Sequence, residues 1–323
     1  VLALFIFALC AEVNAQIKNK LFYNEPANKW VEALPLGNGR LGAMVYGGVA
    51  QEHIQFNEET LWKGGPHDYS HKDAYKHLGK IRQLLADGKQ REAQDLASEV
   101  FMSQPLGQMA YQPFGDLIIS FPDHEEYSDY QRTLDFDQAL STVSYTVDGI
   151  KYSRETLVSH PDQVIALQMT ASKSGALNFD FGLDSHHFLK SVQTSHDSQT
   201  LDVQVADGAM TGMAGVKVKT DGKVLPSYRK ITVEGATQAT IYIAAHTNFV
   251  SYKDVSGRTK PRINRFFNNV KHLEFEDVKR LHIRDYQKLY NRYQISFGDQ
   301  GNINAPTNKR IYDFWKNPDH PQF

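Results

Sequence analysis

Leu34-Pro35-Leu36-Gly37-Asn38-Gly39-Arg40-Leu41-Gly42-Ala43-Met44-Val45-Tyr46-Gly47-Gly48 decides the fold of this 323-residue chain. Five glycines stand among short apolar residues, with almost no helix-forming bulk. Glycine serves where the backbone takes positive φ or must approach another segment closely. The stretch predicts a tight turn over residues 36–42, leading into a strand over residues 43–49. Residues 21–55 as a whole read as short strands joined by glycine turns.

Further along, residues 116–121 form a short apolar run. Residues 141–147 alternate, Asp148-Gly149 supplies a hairpin turn, and residues 150–157 pair back. Strand-like runs follow over residues 164–170, 176–183, 200–205, 216–220, 230–233 and 240–245, and Asp221-Gly222 is another turn signal. Short strands at regular intervals with turn punctuation predict a β-sandwich rather than a βαβ fold. One interval differs. Tyr75, Leu78, Ile81, Leu84 and Leu85 recur at helical spacing, as do Ala93, Leu96, Ala97, Val100 and Phe101. Asp87-Gly88 between them has the form of a helix C-cap, so residues 73–103 read as an inserted helical hairpin. From Pro261 the period is helical again to about Arg292, and a further helix is expected from Thr307. In that last helix Ile311, Phe314 and Trp315 fall on one face.

Composition bounds the function. The hydrophobic fraction is 41%, enough for a sizeable core, and 35 basic residues balance 37 acidic ones. No basic stripe points to nucleic acid. Sixteen tyrosines and 18 phenylalanines favour strands. Aromatic faces also suit sugars, although core packing is their plainer use. Cys10 is the only cysteine, so no internal disulfide forms and no cysteine-rich metal site exists. It lies in the apolar run Val1-Leu2-Ala3-Leu4-Phe5-Ile6-Phe7-Ala8-Leu9, which is followed by Val13-Asn14-Ala15. That pattern predicts a clipped secretory leader over residues 1–15, cut before Gln16, and a secreted or periplasmic protein. The run is too short to span a membrane as a helix. Leu9 is bulky where a lipoprotein signal holds a small residue, which disfavours lipid on Cys10.

The block Asn57-Glu58-Glu59-Thr60-Leu61-Trp62-Lys63-Gly64-Gly65-Pro66 follows the opening stretch. Together the two resemble the start of the fucosidases of glycoside hydrolase family 95. Tyr111-Gln112-Pro113-Phe114-Gly115-Asp116-Leu117, Tyr130-Gln131-Arg132-Thr133-Leu134-Asp135, Ala244-Ala245-His246-Thr247-Asn248-Phe249, Tyr252-Lys253-Asp254-Val255-Ser256-Gly257 and His282-Ile283-Arg284-Asp285-Tyr286-Gln287-Lys288-Leu289-Tyr290 continue the resemblance in order. The resemblance implies a β super-sandwich with a helical-hairpin insertion over residues 16–258. It implies a helical linker over residues 259–304 and the start of an (α/α)6 catalytic barrel over residues 305–323. It implies that the parent enzyme removes terminal α-L-fucosyl groups from glycans with inversion. In that mechanism a Glu is the acid, and an Asp positions water through an Asn amide. All those residues belong to the barrel, and none maps onto this chain. The fragment is then expected to be inactive alone, with the barrel as its intramolecular partner and a fucosylated glycan as the parent's substrate. A stand-alone β-sandwich module that binds or positions carbohydrate is the alternative.

Four residues stand out as binding or domain-interface candidates: Asn57, Glu58, Thr60 and Trp62. Neighbouring carboxylates in an extended segment point to opposite faces, so Glu58 and Glu59 do not flank one glycosidic bond. One of them is expected in solvent and the other on backbone or arginine. Trp62 precedes a Gly-Gly-Pro turn and is expected to project from a loop. His67 and His71, four apart but in loop chemistry, and the pair His186-His187 do not make a metal motif. Gly37-Asn38-Gly39 lacks the Lys-Ser/Thr of a phosphate loop. No cofactor is expected.

Overall fold

The structure, a computed structural model, describes residues 19–206, 208–295 and 305–316. The leader expected over residues 1–15 lies outside the described residues.

Strand β1 (Lys20–Tyr23) precedes a meander of β2 (Leu34–Gly37), β3 (Leu41–Val45) and β4 (Gln51–Glu58). The hairpin helices α1 (Ala74–Ala86) and α2 (Gln90–Val100) come next, and β5 (Gly115–Ser120) returns to pair with β4. A second meander comprises β6 (Ser128–Asp135), β7 (Leu140–Val147), β8 (Ile150–Ser159) and β9 (Val164–Ala171). β10 (Leu177–Asp184), β11 (Phe188–Thr194), β12 (Ser198–Gln204), β13 (Thr211–Thr220), β14 (Lys223–Ser227), β15 (Lys230–Ala236) and β16 (Gln238–Thr247) complete the β part. Helices α3 (Thr259–Val270), α4 (Phe275–Tyr290) and α5 (Thr307–Lys316) follow.

These strands make two antiparallel sheets. One runs β1-β6-β7-β8-β9-β16-β13-β12-β11, the other β14-β15-β10-β5-β4-β3-β2. The fold is mainly β, a sandwich with a helical-hairpin insertion, as the alternation in the sequence predicts. Its inner faces meet through Leu34, Leu41, Ile54, Phe56, Phe179 and Phe181 on the smaller sheet and Ile165, Leu167, Val216, Ile241 and Ile243 on the larger. Burying each such side chain stabilises the fold by about 1.5–3 kcal/mol. The larger sheet is also covered on its outer face. Leu157, Val164, Ala166, Tyr242 and Ala244 pack there against Ile263 and Val270 of α3 and Phe275 and Val278 of α4. β16 is thus covered on both sides and reads as a nearly unbroken apolar run.

Local chemistry sets the turns. Gly39 takes φ +90° between β2 and β3, and Asn38 Oδ1 accepts the backbone N–H groups of Arg40 (3.0 Å) and Leu41 (2.7 Å). Asp148 and Gly149 both have positive φ, as a type I′ hairpin requires. Gly88 is left-handed just after α1, the expected cap. The strand expected over residues 43–49 is shorter and displaced. β3 ends at Val45, because Gly47 adopts φ +75° and turns the chain toward β4. In α5, Ile311 and Trp315 are exposed as their shared face suggests, whereas Phe314 is half-buried. Thr307 anchors that helix, its Oγ1 accepting the Phe22 N–H at 2.9 Å. Among the described residues no helix is long and apolar enough to cross a membrane.

Candidate functional site

At one end of the sandwich, the β2–β3 turn, the end of β4, the end of β16 and the start of α3 frame a half-open cavity of about 350 Å³. Arg40, Glu58, Glu59, Thr60, His246, Phe249, Arg262, Arg265 and Phe266 line it.

Alternation along β4 turns Glu58 inward, and its side chain is completely buried. A carboxylate in that position needs partners. Glu58 Oε2 accepts the Thr60 N–H at 2.9 Å and the Thr60 hydroxyl at 2.6 Å. Glu58 Oε1 faces Arg40 Nη1 at 3.5 Å. Burial pushes the Glu58 carboxyl above its ordinary range, and the Thr60 bonds and the Arg40 charge pull against it. The Thr60 hydroxyl also makes a short contact with the Thr247 hydroxyl, which ties β16 to the loop after β4.

Arg40 is the hub. Its Nη1 donates to Ala245 O at 2.7 Å, and its Nε and Nη2 donate to Gln163 Oε1 (2.5 Å) and Gln163 O (3.2 Å). The guanidinium stacks 4.6 Å from the Phe266 ring centroid. One side chain therefore joins both sheets and α3. Burial lowers its pKa, opposed by Glu58. Arg262 crosses from α3 to Thr247 O (3.2 Å) and Phe249 O (2.8 Å).

His246 lies parallel to Phe266, with ring centroids 6.0 Å apart. Its Nδ1 accepts the Thr247 N–H at 2.8 Å and stands 3.9 Å from Glu58 Oε1. Burial, then Arg40 and Arg262, hold its pKa at about 4. The imidazole is neutral at pH 7. Because an unfolded histidine titrates near 6.5, the unfolded chain binds this proton between about pH 6.5 and 4 while the folded chain does not. Stability contributed here is present above pH 6.5 and is lost as pH falls through that window. His246→Gln is expected to lose less stability than the parent between pH 6.5 and 4.5, by about 1–2 kcal/mol. Urea titrations at the two pH values measure it, and an unchanged difference would count against the assignment.

Of the candidates named from sequence, Glu58 and Thr60 meet inside this cavity. Asn57 points the other way, and its Oδ1 accepts the Phe114 N–H at 3.1 Å. Trp62 sits just outside. Its Nε1 donates to Glu59 O at 2.8 Å and its ring packs 5.2 Å from that of Tyr111, leaving it 41% exposed. It projects from a loop, as its Gly-Gly-Pro neighbours predict. Glu59 is exposed and Glu58 is on arginine and backbone, so the two carboxylates divide as expected. Both Glu58 oxygens are engaged by Thr60 and Arg40, which suits holding and binding rather than proton transfer. Arg40, His246, Thr247 and Arg262 were not singled out from sequence. The signal was present in Gly39-Arg40 and Ala245-His246-Thr247, but nothing local links residues 205 positions apart.

The histidine pairs resolve into backbone contacts. His67 Nε2 lies 2.6 Å from Gln104 O, and His187 Nε2 lies 2.8 Å from Pro113 O. Among the described residues no group of three or more His, Cys, Asp or Glu is placed to hold a metal ion.

The family model described as "Glycosyl hydrolase family 65, N-terminal domain" matches residues 21–252. This chain belongs to that family. The matched residues take in both sheets and the helical hairpin of this chain, with Arg40, Glu58, Thr60, His246 and Thr247 among them. Among curated relatives, "Alpha-L-fucosidase 2" of Arabidopsis thaliana is 32% identical over 85% of this chain and 36% of its own length. "Probable alpha-fucosidase A" of Aspergillus niger is 25% identical over 87% of this chain and 38% of its own, and the Aspergillus oryzae protein of that name is 23% identical over 83% and 39%. The chain thus spans well under half the length of these relatives. The resemblance to family 95 fucosidases read from the sequence agrees with them. A solved chain titled "Putative kojibiose phosphorylase from human microbiome" aligns at a TM-score of 0.45 with 11% identity, over 85% of this chain and 39% of that one.

Proposed function

We propose that this chain is the non-catalytic N-terminal part of a secreted α-L-fucosidase that removes terminal fucosyl groups from glycans with inversion. The similarity to the Arabidopsis fucosidase carries the reading. The state of Glu58 supports it, because general acid–base chemistry needs a carboxyl free to reach a substrate proton. Glu58 is instead enclosed and hydrogen-bonded. The cavity of Arg40, Glu58 and His246 then holds the sandwich end in shape where the catalytic part meets it, with Trp62 just outside that junction. Residues 1–15 are the leader, and the mature protein begins at Gln16.

The test uses protein recovered outside the cell and starting at Gln16. A longer protein, carrying this chain with the further length its relatives have, is expected to release L-fucose from 2′-fucosyllactose. Residues 16–323 alone are expected to release none. Turnover by the short chain, or none by the long one, would overturn the reading, and recovery only inside the cell would remove the secretion.

A further inference from the structure

Along β4 the residues turned away from the core are His53, Gln55 and Asn57. At strand spacing this row spans about 13 Å. Aromatic rings accompany it throughout. Tyr46 stacks on His53, with centroids 4.4 Å apart. Trp30 donates its Nε1 to Gln55 Oε1 at 2.9 Å. The Tyr111 hydroxyl donates to Glu58 O at 3.4 Å, beside Asn57 at the end of the strand, and Trp62 packs against Tyr111. Trp30, Tyr111 and Trp62 are 52%, 43% and 41% exposed, unusual for such large rings.

The rings are held in place. The turn bearing Trp30 is closed by Glu32 Oε2, which accepts the N–H groups of Asn28 (2.8 Å) and Lys29 (3.1 Å), while Arg132 Nη1 donates to Glu32 O at 2.7 Å. Trp62 is pinned to Glu59 O. Ordering these rings on a ligand therefore costs little entropy. Between them lie polar groups with capacity to spare. Asp116, opposite Gln55 on β5, uses Oδ1 toward His53 Nε2 at 2.6 Å and keeps Oδ2 for another donor. The Gln55 amide nitrogen and the Tyr46 hydroxyl also have no described partner. An apolar protein face laid here would strand these groups. A sugar chain would not, since its C–H faces suit the rings and its hydroxyls suit the amide and carboxylate.

We propose that this row is a binding surface for a neutral oligosaccharide laid along β4, from Tyr46 and Trp30 to Tyr111 and Trp62. The inference deepens the fucosidase reading and rests on it for the choice of a glycan. The surface holds the body of the chain while its end passes the rim of the sandwich beside the Arg40 cavity.

Two of the three tryptophans, Trp30 and Trp62, lie in the row, so intrinsic fluorescence reports on it. The 323-residue chain is titrated with lacto-N-fucopentaose I and with its unfucosylated parent, lacto-N-tetraose. Both are expected to give a saturable change. Trp30→Ala is expected to raise Kd on the order of tenfold, as loss of a central aromatic contact does. Trp30→Phe, which keeps a ring, is expected to raise it about threefold or less, with circular dichroism confirming that both variants fold. No saturable change at millimolar sugar, or an unchanged Kd in Trp30→Ala, overturns the proposal. So does protection of Trp30 from acrylamide quenching in the longer protein without sugar, which would mean that protein covers the face. Fucose release by the longer protein without sugar binding here removes the surface and leaves the fucosidase reading. Saturable binding without fucose release by the longer protein does the reverse.

Discussion

Glu52→Ala is expected to destabilise the chain by about 3–5 kcal/mol, the usual result of stripping one partner from a buried ion pair. Glu52 and Arg154 are 1% and 2% exposed and meet at 3.1 Å. Glu52 Oε1 also accepts the Gly47 N–H at 2.8 Å, which holds the turn between β3 and β4. Arg154 reaches across from β8 to Val49 O (2.9 Å), the Tyr145 hydroxyl (2.7 Å) and the Gly48 carbonyl, with its guanidinium 4.0 Å from the Phe121 ring centroid. The pair is a polar bolt through the sandwich. Burial pushes the Glu52 carboxyl up and Arg154 pulls it down. Alanine at position 52 leaves a guanidinium in the core without its counter-charge. The double variant Glu52→Ala/Arg154→Met is expected to lose clearly less than the two single losses added together, since each single change carries the cost of stranding the other partner. Urea melts measure all three, and a loss under about 1 kcal/mol for Glu52→Ala would put the bolt at the level of an exposed pair.

Arg40→Ala is expected to cost about 2–4 kcal/mol, by the removal of buried charged hydrogen bonds and the stranding of Glu58. The cost is lower than for Glu52 because the Arg40–Glu58 distance is 3.5 Å and Thr60 still holds Glu58. Adding Glu58→Gln to Arg40→Ala is expected to recover part of the loss, because a neutral amide does not need the guanidinium. No recovery would show that the cost comes from the Ala245 and Gln163 contacts alone.

Much of this was legible in the sequence because local rules govern it. Asn38-Gly39 and Asp148-Gly149 announce their turns, the period of Tyr75 to Phe101 announces the helical hairpin, and the apolar run over residues 240–245 announces a strand. The strands that were missed lack such signals. β14 contains Pro226 and is an edge strand, where a missing N–H is tolerated. β11, at the other sheet's edge, is only partly buried, through Leu189 and Val192, and a bulge between Leu189 and Ser191 breaks its alternation. β6 turns alternately only from Arg132 onward, because a bulge disturbs its start.

The site was legible in half. Glu58, Thr60 and Trp62 lie in one continuous block, and reading that block found them. Arg40, His246 and Arg262 join them only through the pairing of β3 with β4 and the packing of α3 on β16. That is tertiary information, which no local pattern carries. The outward row of β4 was hidden for a related reason. Trp30 reaches Gln55 from a turn 25 residues earlier, across strands whose order the sequence does not state.

On the proposed function this sandwich holds and positions but performs no proton transfer, and Glu58 is the residue that decides it. The measurement is kcat for L-fucose release from 2′-fucosyllactose by the longer protein, with and without Glu58→Gln. A change of less than about tenfold is expected, since Gln keeps an oxygen for the Thr60 bonds and the proposed acid and base lie outside this chain. A loss on the order of 10²–10⁴ in kcat, the worth of a general acid or base, with the variant folded as the parent is, would contradict it and move the chemistry into this chain.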